Sequence, residues 1–127
     1  MANGTIAFDT LSTSGQISGT AVSVDADYLA YGSSKAFSLT AADGASITDS
    51  FNVSGLTDTA TGQQTIAFNN DFSSVNHVVN ANNGSGVDHF VTIATKAAGT
   101  QLLKSYDDSA NAFVDSIINM VAHGDLA

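Results

Sequence analysis

Glutamate, arginine, proline, cysteine and tryptophan are all absent from this 127-residue chain. Without cysteine there is no disulfide, no thiolate nucleophile and no cysteine-ligated zinc, so the fold rests on packing alone. The redox compartment stays open, but a disulfide-dependent miniprotein is excluded. Without Glu and Arg the good helix formers are few, whereas Asp, Asn, Ser, Thr and Gly, which compete with helices and favour turns, are abundant. The composition leans toward strands and turns.

Positive charge is equally scarce. Lys35, Lys96 and Lys104 stand against twelve acidic residues, all of them Asp, for a net charge of −9. Such a chain repels phosphate, which argues against nucleic acid or an anionic membrane as a partner. No segment approaches the roughly 18 uninterrupted apolar residues of a membrane-spanning helix. The opening MANGTIAFDT also lacks the basic segment and apolar run of a signal peptide. The expectation is therefore neither membrane insertion nor a signal peptide.

What is present is enough for a packed domain. Hydrophobic residues make up 43% of the chain and charged residues 12%, outside the highly charged disordered class. A chain of this length is one domain by prior and buries about two thirds of its unfolded surface. Residues 1–34 are rich in Gly, Ser and Thr. Ile6 and Phe8 share one side of a short strand, Val22 and Val24 one side of another, and LSTSGQISGT between them offers little to bury. This part reads as an extended N-terminal arm or pair of edge strands, with Ile6, Phe8 and Leu11 finding apolar partners on a neighbouring subunit. Residues 35–127 read as the folded domain.

There the alternation tightens. KAFSLTA puts Phe37 and Leu39 on one face and ends at the turn signal Ala42-Asp43-Gly44; SITDSFNV then puts Ile47, Phe51 and Val53 on one side, interrupted by Asp49. In FNVSGLTDTATGQQTIAFNN strict alternation would turn Leu56 away from the core. A bulge at Ser54-Gly55 would restore it, and a loop over residues 58–62 would close through Gly62. The return strand buries Ile66 and Phe68. Phe72 to Val79 forms another short run, Asn80 to Gly86 a flexible polar loop, and DHFVTIAT a strand with Val91 and Ile93 opposite Phe90 and Thr92. Leu102, Leu103, Tyr106, Ala110, Phe113 and Ile117 recur at helical spacing, yet Asp107-Asp108-Ser109 and Asn111 oppose a helix. The β-branched and aromatic run Phe113 to Ala122 suits a final strand buried on both faces, with a turn or partial helix before it. The fold expected is all-β: a small antiparallel β-sandwich, jelly-roll-like, with an extended N-terminal arm.

The order of these pieces resembles a module of bacteriophage virion proteins, especially of phages of marine bacteria. The positions that carry the resemblance are Lys35-Ala36-Phe37, Ser50 to Val53, Thr57-Asp58 with Gly62, Thr65 to Asn69, and Phe72 to His77. Ile117 to Ala122 leading into His123-Gly124-Asp125-Leu126 fits the module's hydrophobic last strand. It spans about Ser34 to Ala127, with Phe37 where Trp is usual. The resemblance implies the terminal β-sandwich knob of a tail-fibre-like or other virion appendage protein.

No catalytic constellation accompanies it. His77, His89 and His123 lie apart without paired metal spacing and read as strand-edge or loop residues. Gly84-Ser85-Gly86 lacks the spacing and the strand-to-helix context of a nucleophile turn. Asp25-Ala26-Asp27 and Asp107-Asp108 offer oxygen ligands without matching a calcium loop. Asn3, Asn52 and Asn83 begin glycosylation tripeptides that so Ser/Thr-rich a sequence produces by chance. The polar stretch Asn80 to Gly86 is the candidate recognition loop, against a plain connector. No catalytic, cofactor-binding or metal residue is assigned, and no enzyme is expected.

The function expected is thus a phage structural protein on the particle surface. It would assemble with itself and with other virion proteins, and it would contact a host receptor or glycan. Competing readings are a capsid decoration protein of the same fold and an extracellular adhesin or calcium-binding β module.

Overall fold

The computed structural model describes residues 32–86 and 88–127, together with Gln16–Ser18, Ala21 and Ser23–Asp25. The chain divides into two units, Met1–Gly32 and Ser33–Ala127. In the first, β1 (Gln16–Ser18) pairs antiparallel with β2 (Ser23–Asp25). Ile6, Phe8, Leu11 and Val22, on which the arm's packing was expected to turn, lie outside the described residues, as do Asn3 and Asp27.

The second unit is built from β3 (Ala36–Thr40), β4 (Ile47–Phe51), β5 (Val53–Ala60), β6 (Gln63–Phe68), β7 (Val78–Asn83), β8 (His89–Lys96), β9 (Thr100–Asp107), β10 (Ala112–Phe113) and β11 (Ile118–His123). The first sheet runs β4-β3-β11-β7. The second runs β5-β6-β9-β8, with β10 continuing along the β6 edge of β9 where β6 stops at Gln63 opposite Lys104. Every pairing is antiparallel, as expected of an all-β sandwich. The connectivity refines the jelly-roll-like detail: β3–β4, β5–β6 and β8–β9 stay as hairpins within one sheet, while β3–β11 and β6–β9 hold the centres.

The core lies between the sheets. Ala36, Val79, Ile118, Met120 and Ala122 face inward from the first and Ile66, Phe68 and Leu103 from the second, with Phe72 closing one end. Each large side chain so enclosed stabilises the fold by roughly 1.5–3 kcal/mol relative to exposure. The expected bulge is present: the register slips between Val53 and Gly55, which returns Leu56 to a position packed on the core. Strand β5 continues to Ala60, so the loop is shorter than residues 58–62, but Gly62 closes it at a φ of 68°. A Cβ there would lie 2.6 Å from the Ser105 carbonyl oxygen and from the Val114 nitrogen, so only glycine fits.

Several expectations are corrected. Residues 100–107 form a strand and not a helix: Gln101, Leu103 and Ser105 are buried while Leu102, Lys104 and Tyr106 between them are not, a period of two. The last strand begins at Ile118, because Phe113 belongs to the second sheet and residues 114–117 cross between sheets. The strand expected from Phe72 is instead Val78–Asn83, since Phe72 makes only a bridge to Leu126. That strand takes in Asn80 to Asn83, leaving only Gly84 to Gly86 as turn. Finally, Phe37, Leu39 and Phe51 do share a face, but it is the outer one. Between the sheets stand Ala36, Ser38 and Thr40, whose small side chains fit where the sheets approach. Phe51 and Val53 part company at Asn52, whose φ of 55° carries the chain from the first sheet into the second.

Candidate functional site

Aromatic side chains stand on the outer faces of both sheets. On the first, Phe51, Phe37 and Val121 form one row in register across β4, β3 and β11, and Asn80 on β7 continues it. The Phe37 and Phe51 rings are stacked, 6.3 Å between centroids and 23° between planes, yet 37% and 56% of these residues remain exposed. Toward β7 the face dips into a shallow cleft of about 260 Å³ lined by Asn80, Asn82, Asn119 and Val121, with Ala81 and Met120 at its floor. Val78, also exposed, lies at one end.

On the second sheet Phe90, Tyr106 and Phe113 meet side by side from β8, β9 and β10. Phe90 lies 5.2 Å from Tyr106, and Phe113 meets Tyr106 edge-on at 5.4 Å. Lys104 Nζ sits 5.6 Å from the Phe113 centroid. The Tyr106 hydroxyl and Asn111 Oδ1 are hydrogen-bonded at 2.5 Å, which with the positive φ of Asn111, 52°, fixes the turn after β9. The alternation of DHFVTIAT already set Phe90 apart from Val91 and Ile93. That Phe90, Tyr106 and Phe113 converge follows only from strand register.

The histidines are not brought together. His77 lies in the loop just before β7, as expected, but is buried there, 3% exposed: it stacks on Phe72 at 4.2 Å, meets Phe68 edge-on at 5.9 Å and pairs Nδ1 with the Ser74 carbonyl. His89 Nε2 lies 3.3 Å from Asp107 Oδ2 at the rim of the second sheet, and His123 sits half-buried in β11. Among the described residues no group of three or more His, Cys, Asp or Glu could hold a metal ion. Asp107 is engaged locally: the Ala110 N–H and the Ser109 hydroxyl, with His89 alongside, hold its carboxyl below the usual range. The Ala45 N–H and the Ser46 hydroxyl do the same for Asp43 in the β3–β4 turn.

Between the sheets lies a polar cluster that the sequence did not announce. Asn83 Nδ2 donates to the hydroxyls of Ser105 at 3.1 Å and Ser116 at 2.8 Å, and Gln64 Nε2 donates to the Ser116 carbonyl at 3.1 Å. The Ser116 hydroxyl donates in turn to that of Ser105 at 2.6 Å, so the cluster joins β6, β7 and β9 to the crossover. Asn83 is thereby occupied. Asn52, buried, holds Asn70 through both atoms of its amide, and Ser85 serves the turn, its hydroxyl accepting from Ile117 N–H at 3.3 Å.

Compared with known proteins, the chain matches no family model, no curated protein and no solved structure.

Proposed function

We propose that this chain is a structural module of a bacteriophage particle, an appendage or fibre-type knob that assembles from identical copies on the virion surface and contacts the host there. The observation that carries the reading is the pair of aromatic outer faces on one sandwich. A monomer that works alone gains nothing from exposing Phe37, Phe51, Phe90 and Phe113, and apolar surface of this kind marks sites of association. Two opposed faces let one hold a neighbouring copy while the other remains for a further virion protein or a host surface glycan or receptor. The order of segments from Lys35 to Leu126 supplies the resemblance to phage appendage modules.

The test is location and copy number in purified particles, by quantitative mass spectrometry and antibody labelling. A small, symmetry-related number of copies on the tail or neck is expected. Labelling spread over the icosahedral shell would replace the appendage with a capsid decoration protein, and absence from particles would end both readings.

A further inference from the structure

The cleft on the outer face of the first sheet is lined by side-chain amides that have no hydrogen-bond partner among the described residues. Asn82 lies opposite Asn119 and Asn80 opposite Val121, and these four line the cleft of about 260 Å³. Asn52, Asn69, Asn70, Asn83 and Asn111 each hold a hydrogen bond through the side-chain amide. Asn80, Asn82 and Asn119 hold none, even where Asn82 faces Asn119 across the strands. On the second sheet's outer face the polar groups are engaged: the Tyr106 hydroxyl meets Asn111, Thr59 meets Thr65, and Lys104 lies over the Phe113 ring. An amide both donates and accepts, so the first face alone offers a concave group of donors and acceptors beside an apolar shelf, the Phe37–Phe51 stack.

No Asp, Lys or His lines this cleft. A charged ligand would find no counter-charge there, and an anion would also meet the repulsion of a chain of net charge −9. The ligand that fits is neutral, carries hydroxyls at its edge and is apolar on its face. An enclosed cavity of about 150 Å³ admits benzene, so this cleft has room for a six-membered ring with its hydroxyls. We propose that it binds one pyranose unit of a neutral polysaccharide, Asn80, Asn82 and Asn119 exchanging hydrogen bonds with adjacent hydroxyls while the next unit lies over Val121 and Phe37. This rests on the host contact proposed above and names its ligand class. From Asn80 to Phe51 the row crosses three strand spacings, about 14 Å, which is longer than one sugar ring. Affinity therefore grows with chain length.

The full-length chain is tested by titration calorimetry and saturation-transfer NMR against glucose, galactose, mannose and N-acetylglucosamine oligosaccharides, from the monosaccharide to the hexasaccharide, with galacturonic acid oligosaccharides as the acidic comparison. At least one neutral series should bind, its dissociation constant falling about tenfold or more from monosaccharide to trisaccharide, and the acidic series should not. Asn80→Ala with Asn82→Ala, both exposed, should weaken that binding about tenfold while circular dichroism stays that of the wild type. Phe37→Ser should weaken the trisaccharide and leave the monosaccharide unchanged, and Phe90→Ser on the second sheet should change neither. Binding of no neutral series, preference for the acidic one, or indifference to the asparagine variants would each overturn the site. So would loss of binding in Phe90→Ser, which would move the ligand to the second sheet, or an assembly of copies that the asparagine variants dissolve, which would give the face to a neighbouring subunit. These measurements use the isolated protein and leave its place in a particle untouched, so the two readings fail separately.

Discussion

The backbone N–H of Gly62 donates to Asp115 Oδ1 at 2.6 Å, across 53 residues, so the tip of the β5–β6 hairpin is held by the crossover that leads into β11. The same tip is fixed by the Ser105 N–H on the Gly62 carbonyl, 2.8 Å. Asp115→Ala removes an ionised acceptor from a part-buried site and should lower unfolding free energy by about 1.5–3 kcal/mol. Gly62→Ala meets backbone at 2.6 Å as well as a positive φ, and should cost about 2–5 kcal/mol. Urea unfolding measures both, and a neutral Gly62→Ala would contradict the turn geometry.

Asn52 combines two tasks at the passage between sheets. Its φ is 55°, and its Oδ1 accepts from the Asn70 N–H at 2.8 Å. Asn52→Ala should cost about 2–4 kcal/mol, and Asn52→Gly less, because glycine keeps the conformation while losing the hydrogen bonds. Equal losses in the two variants would mean that conformation is not part of the effect. Held as it is, Asn52 should carry no glycan when the protein is secreted from a glycosylating cell, which intact mass would check.

Asp43 and Asp107 both have folded pKa values below the ordinary carboxylate value, through the N–H groups and hydroxyls that their ionised forms accept. A depressed folded pKa gives stability that is complete above the unfolded pKa and is lost as pH falls through the folded one. The stability that these two carboxylates contribute, read from urea unfolding, should therefore be complete above about pH 5 and decline below about pH 4. Asp43→Asn and Asp107→Asn should be less stable than the wild type at pH 7 and converge on it at low pH. A gap that widened with acid would reverse the sign and reject the assignment.

The Phe90–Tyr106–Phe113 group should tolerate change better than the core. Phe90→Ser with Phe113→Ser breaks two exposed aromatic contacts, worth about 0.5–1.5 kcal/mol each, and should lower stability by about 1–3 kcal/mol. Urea unfolding measures the loss, and a loss as large as that of a core truncation would contradict the exposure of Phe90 and Phe113.

His77 separates shape from polarity. Its ring is enclosed by Phe68 and Phe72, and its Nε2 has no hydrogen-bond partner among the described residues. His77→Ala should cost about 3–5 kcal/mol through the cavity, whereas His77→Phe should stay within about 1.5 kcal/mol of the wild type. Thermal and urea unfolding of the two variants distinguish these outcomes.

Much of the fold was legible because local patterns agreed with it. QQTIAF alternates without interruption, and its apolar positions are the buried ones. Ser54-Gly55 announced a bulge, because Leu56 was otherwise out of phase. The misreadings have a common origin: alternation tells which residues share a face, not which face is covered. In KAFSLT the larger side chains point out and the small ones in, since a neighbouring sheet leaves space only for Ala36, Ser38 and Thr40. In QLLKSY the helical spacing of apolar residues was accidental, and Gln101 and Ser105, polar yet fully buried, hid the strand period.

The sequence by itself determined the class: an acidic, cysteine-free chain of turn formers and alternating apolar positions has only antiparallel strands with which to bury its surface. It also fixed where several turns close, because Gly44 and Gly62 sit at positive φ where other residues are strained. Only the tertiary structure decided which face each strand presents, since that depends on pairings such as β3 with β11 that join residues more than seventy positions apart. From that pairing came the outward Phe37–Phe51 stack and the meeting of Phe90, Tyr106 and Phe113. Local propensity has no access to such contacts, because their register is set by the opposite sheet.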